Sequence, residues 1–308
     1  MIKLLEDITI IIGQIVNYTA IYTLATLGII IAGKSGIFNI SGEGILLSAA
    51  SVGFIFAWLK SNLLLGFIAG AFTGAVFGLI LVWIHEKFYL DQLILGICLV
   101  IFGTGFSSLL YKLVVGVTLM PPIIFPPNKI YLPLISEIPI ISAFFNQDIT
   151  IYFMYLAVIC GFWFFYRTKL GLETRAIGES PHAVDVVGVN IVRRRYIATI
   201  VGSALVGVAG AYLSICIAGT FVPHMAQGRG FMAIGLAIFC SWRPQRALWG
   251  GFLFAAAEVI SYKLQIVPTA IPYQVFMMLP FILVLLVMML MRKHIEFPAS
   301  IGERYSRE

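Results

Sequence analysis

A chain of 308 residues with 60% hydrophobic side chains, 11% charged ones and a mean hydropathy of +1.00 carries more apolar surface than one water-soluble core could hide. The bilayer is the expected solvent, and apolar runs of about 20 residues without two-residue alternation favour helices over a barrel. The net charge of +6 is spread along loop edges and not gathered on a polar domain, which argues against a nucleic-acid partner and marks the basic loops of a membrane protein.

The expected fold class is all-α and polytopic, one transmembrane domain over 1–308. Apolar runs lie near 8–32, 38–59, 63–84, 93–114, 149–166, 196–218, 231–242, 247–264 and 275–291, which predicts about nine crossings. The opening MIKLLEDITIIIG lacks a small-residue cleavage pattern and reads as a retained first span. The first half, 1–114, is interrupted at Gly33–Gly44, GKSGIFNISGEG. Glycines with Ser35, Asn39, Ser41 and Glu43 cannot form a plain lipid-facing helix. Irregular backbone and an ionisable group are tolerated at that depth where they line a cavity or are covered by protein, so Asn39 and Glu43 are candidate pathway residues. The competing reading is a cytoplasmic turn with a solvated Glu43. The run GFIAGAFTGAVFG (Gly66–Gly78) and the later GSALVGVAGAY (Gly202–Tyr212) read as helix-packing faces.

Residues 115–148 hold Pro121, Pro122, Pro126, Pro127, Pro133 and Pro139 among Ile123, Ile124, Ile135 and Ile138. Proline breaks helices, so this segment is expected as an external cap or short re-entrant piece, with docking or self-packing as its two uses. Cys98, Cys160, Cys216 and Cys240 each sit alone in an apolar run and read as small buried side chains.

The long polar insert Arg167–Arg195 follows. Ser180 can cap a helix whose first position tolerates Pro181, and Gly188 is placed to end it after about two turns. Ala183, Val184, Val186 and Val187 offer an apolar face, with Arg175 and Arg193–Arg195 as basic flanks. Such a helix can rest on membrane lipid headgroups or seat in a partner's groove.

In the second half, 196–291, the run 231–242 is too short to cross unaided and reads as part of a broken helix. A second break, GTFVPHMAQGRGFMAIG (Gly219–Gly235), carries Pro223, His224, Gln227 and Arg229. The two breaks are expected to open from opposite sides, as inverted repeats would produce; the alternative leaves His224 and Arg229 as exposed loop residues. Glu258 is the only other carboxylate within a run, and two acids make a poor ion relay, so energy is expected from outside the chain. If the insert and the tail 292–308 face the cytoplasm, fourteen Lys and Arg lie inside against six outside, which puts the N-terminus out and the C-terminus in.

The stretch GLETRAIGESPHAVDVVGVNIVRRRYIATIVGSALVGVAGAYLSI resembles the cytoplasmic coupling loop and following helix of permeases in bacterial ABC importers of the branched-chain amino acid, ribose and nucleoside group. More narrowly, it is similar to the nucleoside and simple-sugar permeases that work with lipoprotein-type binding proteins. GIFNISGEG, GRGFMAIGLAIFCSWRPQRALWGGFLFAAAE and PYQVFMMLPFILVLLVMMLMRK fit the same pattern, so the resemblance spans nearly the whole chain. It implies a type II importer architecture in the bacterial cytoplasmic membrane and a transport subunit with no catalytic residues. Glu179, Ser180, Pro181, Ala183 and Gly188 would form the helix that seats in a cytoplasmic ATPase. The implied partners are that ATPase, a second permease that is identical or homologous, and an extracytoplasmic binding protein or lipoprotein. ATP and magnesium would be used by the ATPase, with no cofactor bound by this chain.

Where the family commonly places a polar residue after the Glu-Gly pair, this chain has Ile45-Leu46-Leu47. With Phe38, Phe221 and Phe231 as candidate pathway residues, the apolar character suits a planar aromatic ligand: a nucleoside first, then riboflavin or another flat heterocycle, with a simple sugar as the alternative. Two other classes stay open on the residues alone. An ion-coupled secondary transporter would run without an ATPase, and a membrane enzyme would need a cluster that the scattered His85, His182, His224 and His294 do not form.

Overall fold

Short polar side chains at the ends of apolar runs set where the helices begin. Asn62 accepts from the amides of Leu64 and Leu65, Asp91 from Leu93 and Ile94, Asp148 from Thr150 and Ile151, Thr168 from Gly171 and Asn190 from Arg193. Each satisfies amides that a first helical turn leaves without partners. The computed structural model describes residues 2–116, 120–131, 140–266, 272–291 and 296–305, which are helical with no strand among them. Pro133, Ile135, Ile138 and Pro139 of segment 115–148, and Arg292, Lys293, His294 and Arg307 of the tail, fall outside the described residues.

The helices are α1 (Ile2–Gly33), α2 (Gly42–Lys60), α3 (Leu63–Phe88), α4 (Gln92–Val114), a single turn α5 (Ser142–Phe145), α6 (Ile149–Arg167), α7 (Lys169–Glu179), α8 (Pro181–Val186), α9 (Ile191–Tyr212), α10 (Arg229–Phe239), α11 (Pro244–Ile266), α12 (Tyr273–Met277) and α13 (Leu279–Met291). Among the described residues, seven helices are long and apolar enough to cross a membrane: Glu6–Gly33, Gly42–Lys60, Leu63–Phe88, Gln92–Val114, Ile149–Arg167, Ile191–Ile217 and Pro244–Ile266. The other two apolar runs form the shorter helices Arg229–Phe239 and Leu279–Leu290.

α9 is the pillar of the bundle. Its small-residue run faces that of α3 directly: an added Cβ at Gly74 would meet Gly207 of α9 at 3.0 Å, and one at Gly70 would meet Ala211 at 2.7 Å. Gly28 of α1 abuts Gly202 and Val206, and Gly44 of α2 abuts Leu99 and Val100 of α4. Without side chains between them, backbones approach closely enough for dense van der Waals contact, the main source of helix association in lipid. α1 and α2 end up enclosed, while α4 and α6 turn apolar side chains such as Ile101, Phe102, Ile159 and Trp163 outward. The expectation for cysteine holds in part. Cys240 is buried and Cys216 half-buried, but Cys98 and Cys160 lie exposed on those outward faces of α4 and α6.

Among its described residues, segment 115–148 is tied down at several points, with the Ile130 amide donating to the Gln147 carbonyl at 2.9 Å and the Ile140 amide to Thr9 Oγ1 at 3.2 Å. Ile124 is buried and its amide donates to the Gly219 carbonyl at 2.7 Å, while Met120, Ile123 and Phe125 stand exposed.

Candidate functional site

Both breaks leave the helical path, and they meet. After Gly33 the chain passes the Arg-rich end of the bundle, where the Cβ position of Gly36 lies 3.2 Å from the Arg195 guanidinium. It then dives inward through Ile37–Ile40, and the Asn39 amide donates to Ser203 Oγ at 3.0 Å. Ser203 lies eight residues along α9 from Arg195, a rise of about 12 Å, so α2 starts well inside the bundle. α10 begins at a matching depth. Its last residue, Phe239, leads into the Ser241–Trp242 turn beside Gly33, and Arg229 lies ten residues back, a rise of about 15 Å. The half-helices therefore start at the same place and run apart, α2 away from the Arg-rich end and α10 towards it.

Glu43 joins them. Its carboxylate accepts from the Gly228 amide at 2.9 Å and the Gly230 amide at 2.7 Å, and the side chain is buried. A solvated turn is thereby excluded for Glu43. The carboxylate sits at two helix N-termini at once, where exposed amides and the helix dipoles favour negative charge. Gly230 permits the approach: an added Cβ there would collide with the Glu43 backbone and come within 2.7 Å of Gly42.

Arg229 is the residue on which sequence reasoning left two options open, and it is buried whereas His224 is exposed. Its Nε donates to Glu258 Oε1 at 3.0 Å and its Nη2 donates to the same oxygen and to the Tyr262 hydroxyl, the latter at 2.8 Å. Tyr22 donates to Glu258 Oε2 at 2.7 Å, and Tyr262 donates to Oε1 at 2.8 Å. Arg229 Nη1 closes on the Met225 carbonyl at 2.8 Å. The pair is thus fully hydrogen-bonded, the condition under which two charges persist out of water.

The remaining candidates are dispersed. Asn39 is buried and spent on Ser203 and Ser41. Phe38 packs edge-on against Trp242, with centroids 6.2 Å apart, near the Arg-rich end. Phe221 is buried against Tyr111, centroids 5.0 Å apart, in a cluster with Phe54 and Ile124. Phe231 is exposed on α10. Glu43 and Phe231 lie close in the chain to the meeting point; Phe38 and Phe221 do not join it.

The polar insert folds as two helices, α7 and α8, and α9 takes in Arg193–Arg195. Ser180 holds the N-cap position of α8 in extended conformation, with no side-chain cap bond, and Pro181 is buried at the first turn. Gly188 ends the segment at φ +83°, a left-handed value that suits glycine. Of the four apolar residues expected on one face, only Val184 is buried, with Ile177, Ile191 and Tyr305; Ala183, Val186 and Val187 point outward. Glu179 is exposed, and its Oε2 accepts from the Ala299 amide at 3.4 Å. Burial pushes the Lys34 ammonium below the usual lysine range, and nearby Glu179 opposes the shift. Of the basic flank, Arg195 is buried and paired with Glu86 at 3.0 Å, so it is structural; Arg194 pairs with Glu173.

The tail ties this segment to the first break. Ser300 donates to the Ile177 and Gly178 carbonyls at 2.9 and 2.8 Å, and the Gly302 amide donates to the Gly36 carbonyl at 3.0 Å. At about 1 kcal/mol per bond, removing residues 298–308 is expected to speed trypsin cleavage at Arg193 by about tenfold or more. Unchanged cleavage would show that the tail does not hold the segment.

The chain matches, over residues 11–288, the family described as branched-chain amino acid transport system / permease component. It is 34% identical over 255 residues to a putative glucose ABC transporter permease of Haloferax volcanii, covering 81% of this chain and 76% of that protein. It is 29% identical over 294 residues to the guanosine ABC transporter permease NupQ of Bacillus subtilis, covering 92% of each. The nucleoside ABC transporter permease NupC of Lactococcus lactis matches at 24% over 322 residues, 98% of each.

Proposed function

The chain belongs to the branched-chain amino acid transport system permease family, and from that premise we propose that it forms the route for a nucleoside in an ATP-driven importer, with residues 179–188 taking force from a cytoplasmic ATPase. It is a multi-pass ABC transporter permease, a transport component and not an enzyme. The Arg-rich end, with the insert and tail, faces the cytoplasm in this reading, and the N-terminus lies outside. A second permease completes the route, and a binding protein or lipoprotein delivers the ligand.

The observation that carries the ATPase assignment is the shape of the insert. Val184 anchors α8 to the body while Val186 and Val187 stand 90% and 79% exposed at its tip, apolar side chains displayed on a rigid mount. Beside them lies a cleft of about 600 Å³ lined by Glu86, Asp185, Arg193 and Tyr305. A short helix with an exposed apolar tip fits a groove in another protein. Nucleotide binding that closes an ATPase pair would then move α8, and the tail would pass that motion to the first break as a rigid body.

Glu179→Arg, or deletion of 179–188, is expected to cost about tenfold or more in ATPase co-purification, about 1.4 kcal/mol of binding, and to abolish ATP-driven uptake. Uptake that persists in vesicles holding an ion gradient but no ATP would overturn the reading. For substrate, the full-length similarity to permeases named for guanosine and nucleosides favours a nucleoside. The 34% identity to a permease named for glucose makes a hexose the second reading.

A further inference from the structure

Gln14 and Asn17 lie within the first span, Glu6–Gly33, about 12 and 16 Å from its start by helix rise. A primary amide facing hydrocarbon would lose its hydrogen bonds, so residues of this kind inside a span mark a water-filled route or a protein contact. Here they form the shared wall of two cavities of about 460 and 350 Å³, each large enough for a small organic ligand. Both cavities open away from the Arg-rich end, on the half of α1 opposite Gly33.

The chemistry of the wall is specific. The first cavity includes Gln147, whose buried Oε1 has no hydrogen-bond partner. The second contributes Tyr18, Tyr262 and Lys263, and the two tyrosine rings lie 5.8 Å apart at a 52° tilt. Primary amides present a donor and an acceptor side by side, the pattern on the edge of a nucleobase, and aromatic rings supply a flat apolar surface for its face.

The cavities also reach the site already described. Tyr262, which lines the second cavity, is the residue whose hydroxyl bonds Arg229 and Glu258, and Arg229 opens α10, whose neighbouring amides hold Glu43. A ligand here would touch the outer side of the junction between the two half-helices.

From this placement we propose that the second cavity, walled by Gln14, Asn17, Tyr18 and Tyr262, receives the base of a nucleoside on the outward side of the route. The proposal rests on the nucleoside reading above and adds the residues that would recognise the base.

The test is ATP-driven uptake by the complete transporter in proteoliposomes, with guanosine, uridine and glucose as probes, normalised to folded complex by size-exclusion yield. Gln14→Leu combined with Asn17→Leu is expected to raise KM for the nucleosides about tenfold with a smaller change in kcat, each substitution removing one hydrogen bond to the base. Gly105→Ala, on the open face of α4, is expected to keep the wild-type KM. In a background where Cys98, Cys160 and Cys216 are replaced, Asn17→Cys is expected to be protected from a maleimide by guanosine and not by glucose. A wild-type KM in the double variant, with no protection at Asn17→Cys, would overturn the cleft while leaving the nucleoside reading standing. Wild-type uptake of glucose alone would overturn the nucleoside reading, and a shift of its KM in the double variant would then assign the cleft to a sugar and refute the base.

Discussion

Replacing Arg229 with leucine is expected to cost about 3–5 kcal/mol, the range for breaking a buried ion pair by removing one partner. Glu258 would be left buried with Tyr22 and Tyr262 still bonded to it but no countercharge, and α10 would lose its tie to α11. The measurement is thermal unfolding in detergent alongside the monodisperse fraction on purification. The paired change Arg229→Met with Glu258→Met is the informative companion: with both charges gone, no desolvated ion remains, and most of the lost stability is expected to return. A single Arg229→Leu variant as stable as the parent would show that the pair carries no such energy. If the double variant folds but fails in uptake, the pair serves positioning of α10 and not folding alone.

The second large effect is expected from Gly202→Val. An added Cβ at Gly202 runs into the Gly28 carbonyl oxygen, and it comes within 3.3 Å of the Ala32 amide nitrogen. Backbone cannot yield as a flexible side chain can, so α1 and α9 must separate. Overpacking of a dense core costs typically about 1–3 kcal/mol and sometimes more, and here every contact along the α1–α9 seam loosens with it. Gly105 supplies the control within the same protein, because nothing lies within 4 Å of its Cβ position and alanine there improves helix propensity. Retention of the native unfolding midpoint by Gly202→Val, measured beside Gly105→Ala, would show that the seam is looser than its geometry.

These effects bear on how much of the molecule was legible in advance. Small-residue runs announced that helices would pack closely, yet which run met which could not be read, since Gly28 and Gly202 are joined only by the fold. Arg229 and Glu258 were each visible as a lone charge among apolar residues. The rule that such charges must find partners was available, but nothing in the sequence matched one to the other across 29 positions. Gln14 and Asn17 stand in the sequence as amides inside an apolar run, which marks a cleft or a protein contact, but nothing in the sequence chooses between the two.

Glu43 shows the boundary most sharply. Glycines and an acid within hydrocarbon already require that the segment be covered by protein or line a cavity, but the two amides that hold the carboxylate come from residues 228 and 230.

What the sequence determined by itself is the solvent, the helical class, the positions of the breaks and the family resemblance. Those follow from local composition and from the need of backbone groups in lipid to bond within their own segment. Tertiary structure alone decided that the two half-helices begin back to back, that Arg229 is buried while His224 is exposed, and that Val184 anchors the insert while Val186 and Val187 project. The reason is physical: hydrogen bonding in a helix is satisfied within four residues, whereas burial, charge pairing and close approach depend on which distant surface arrives opposite.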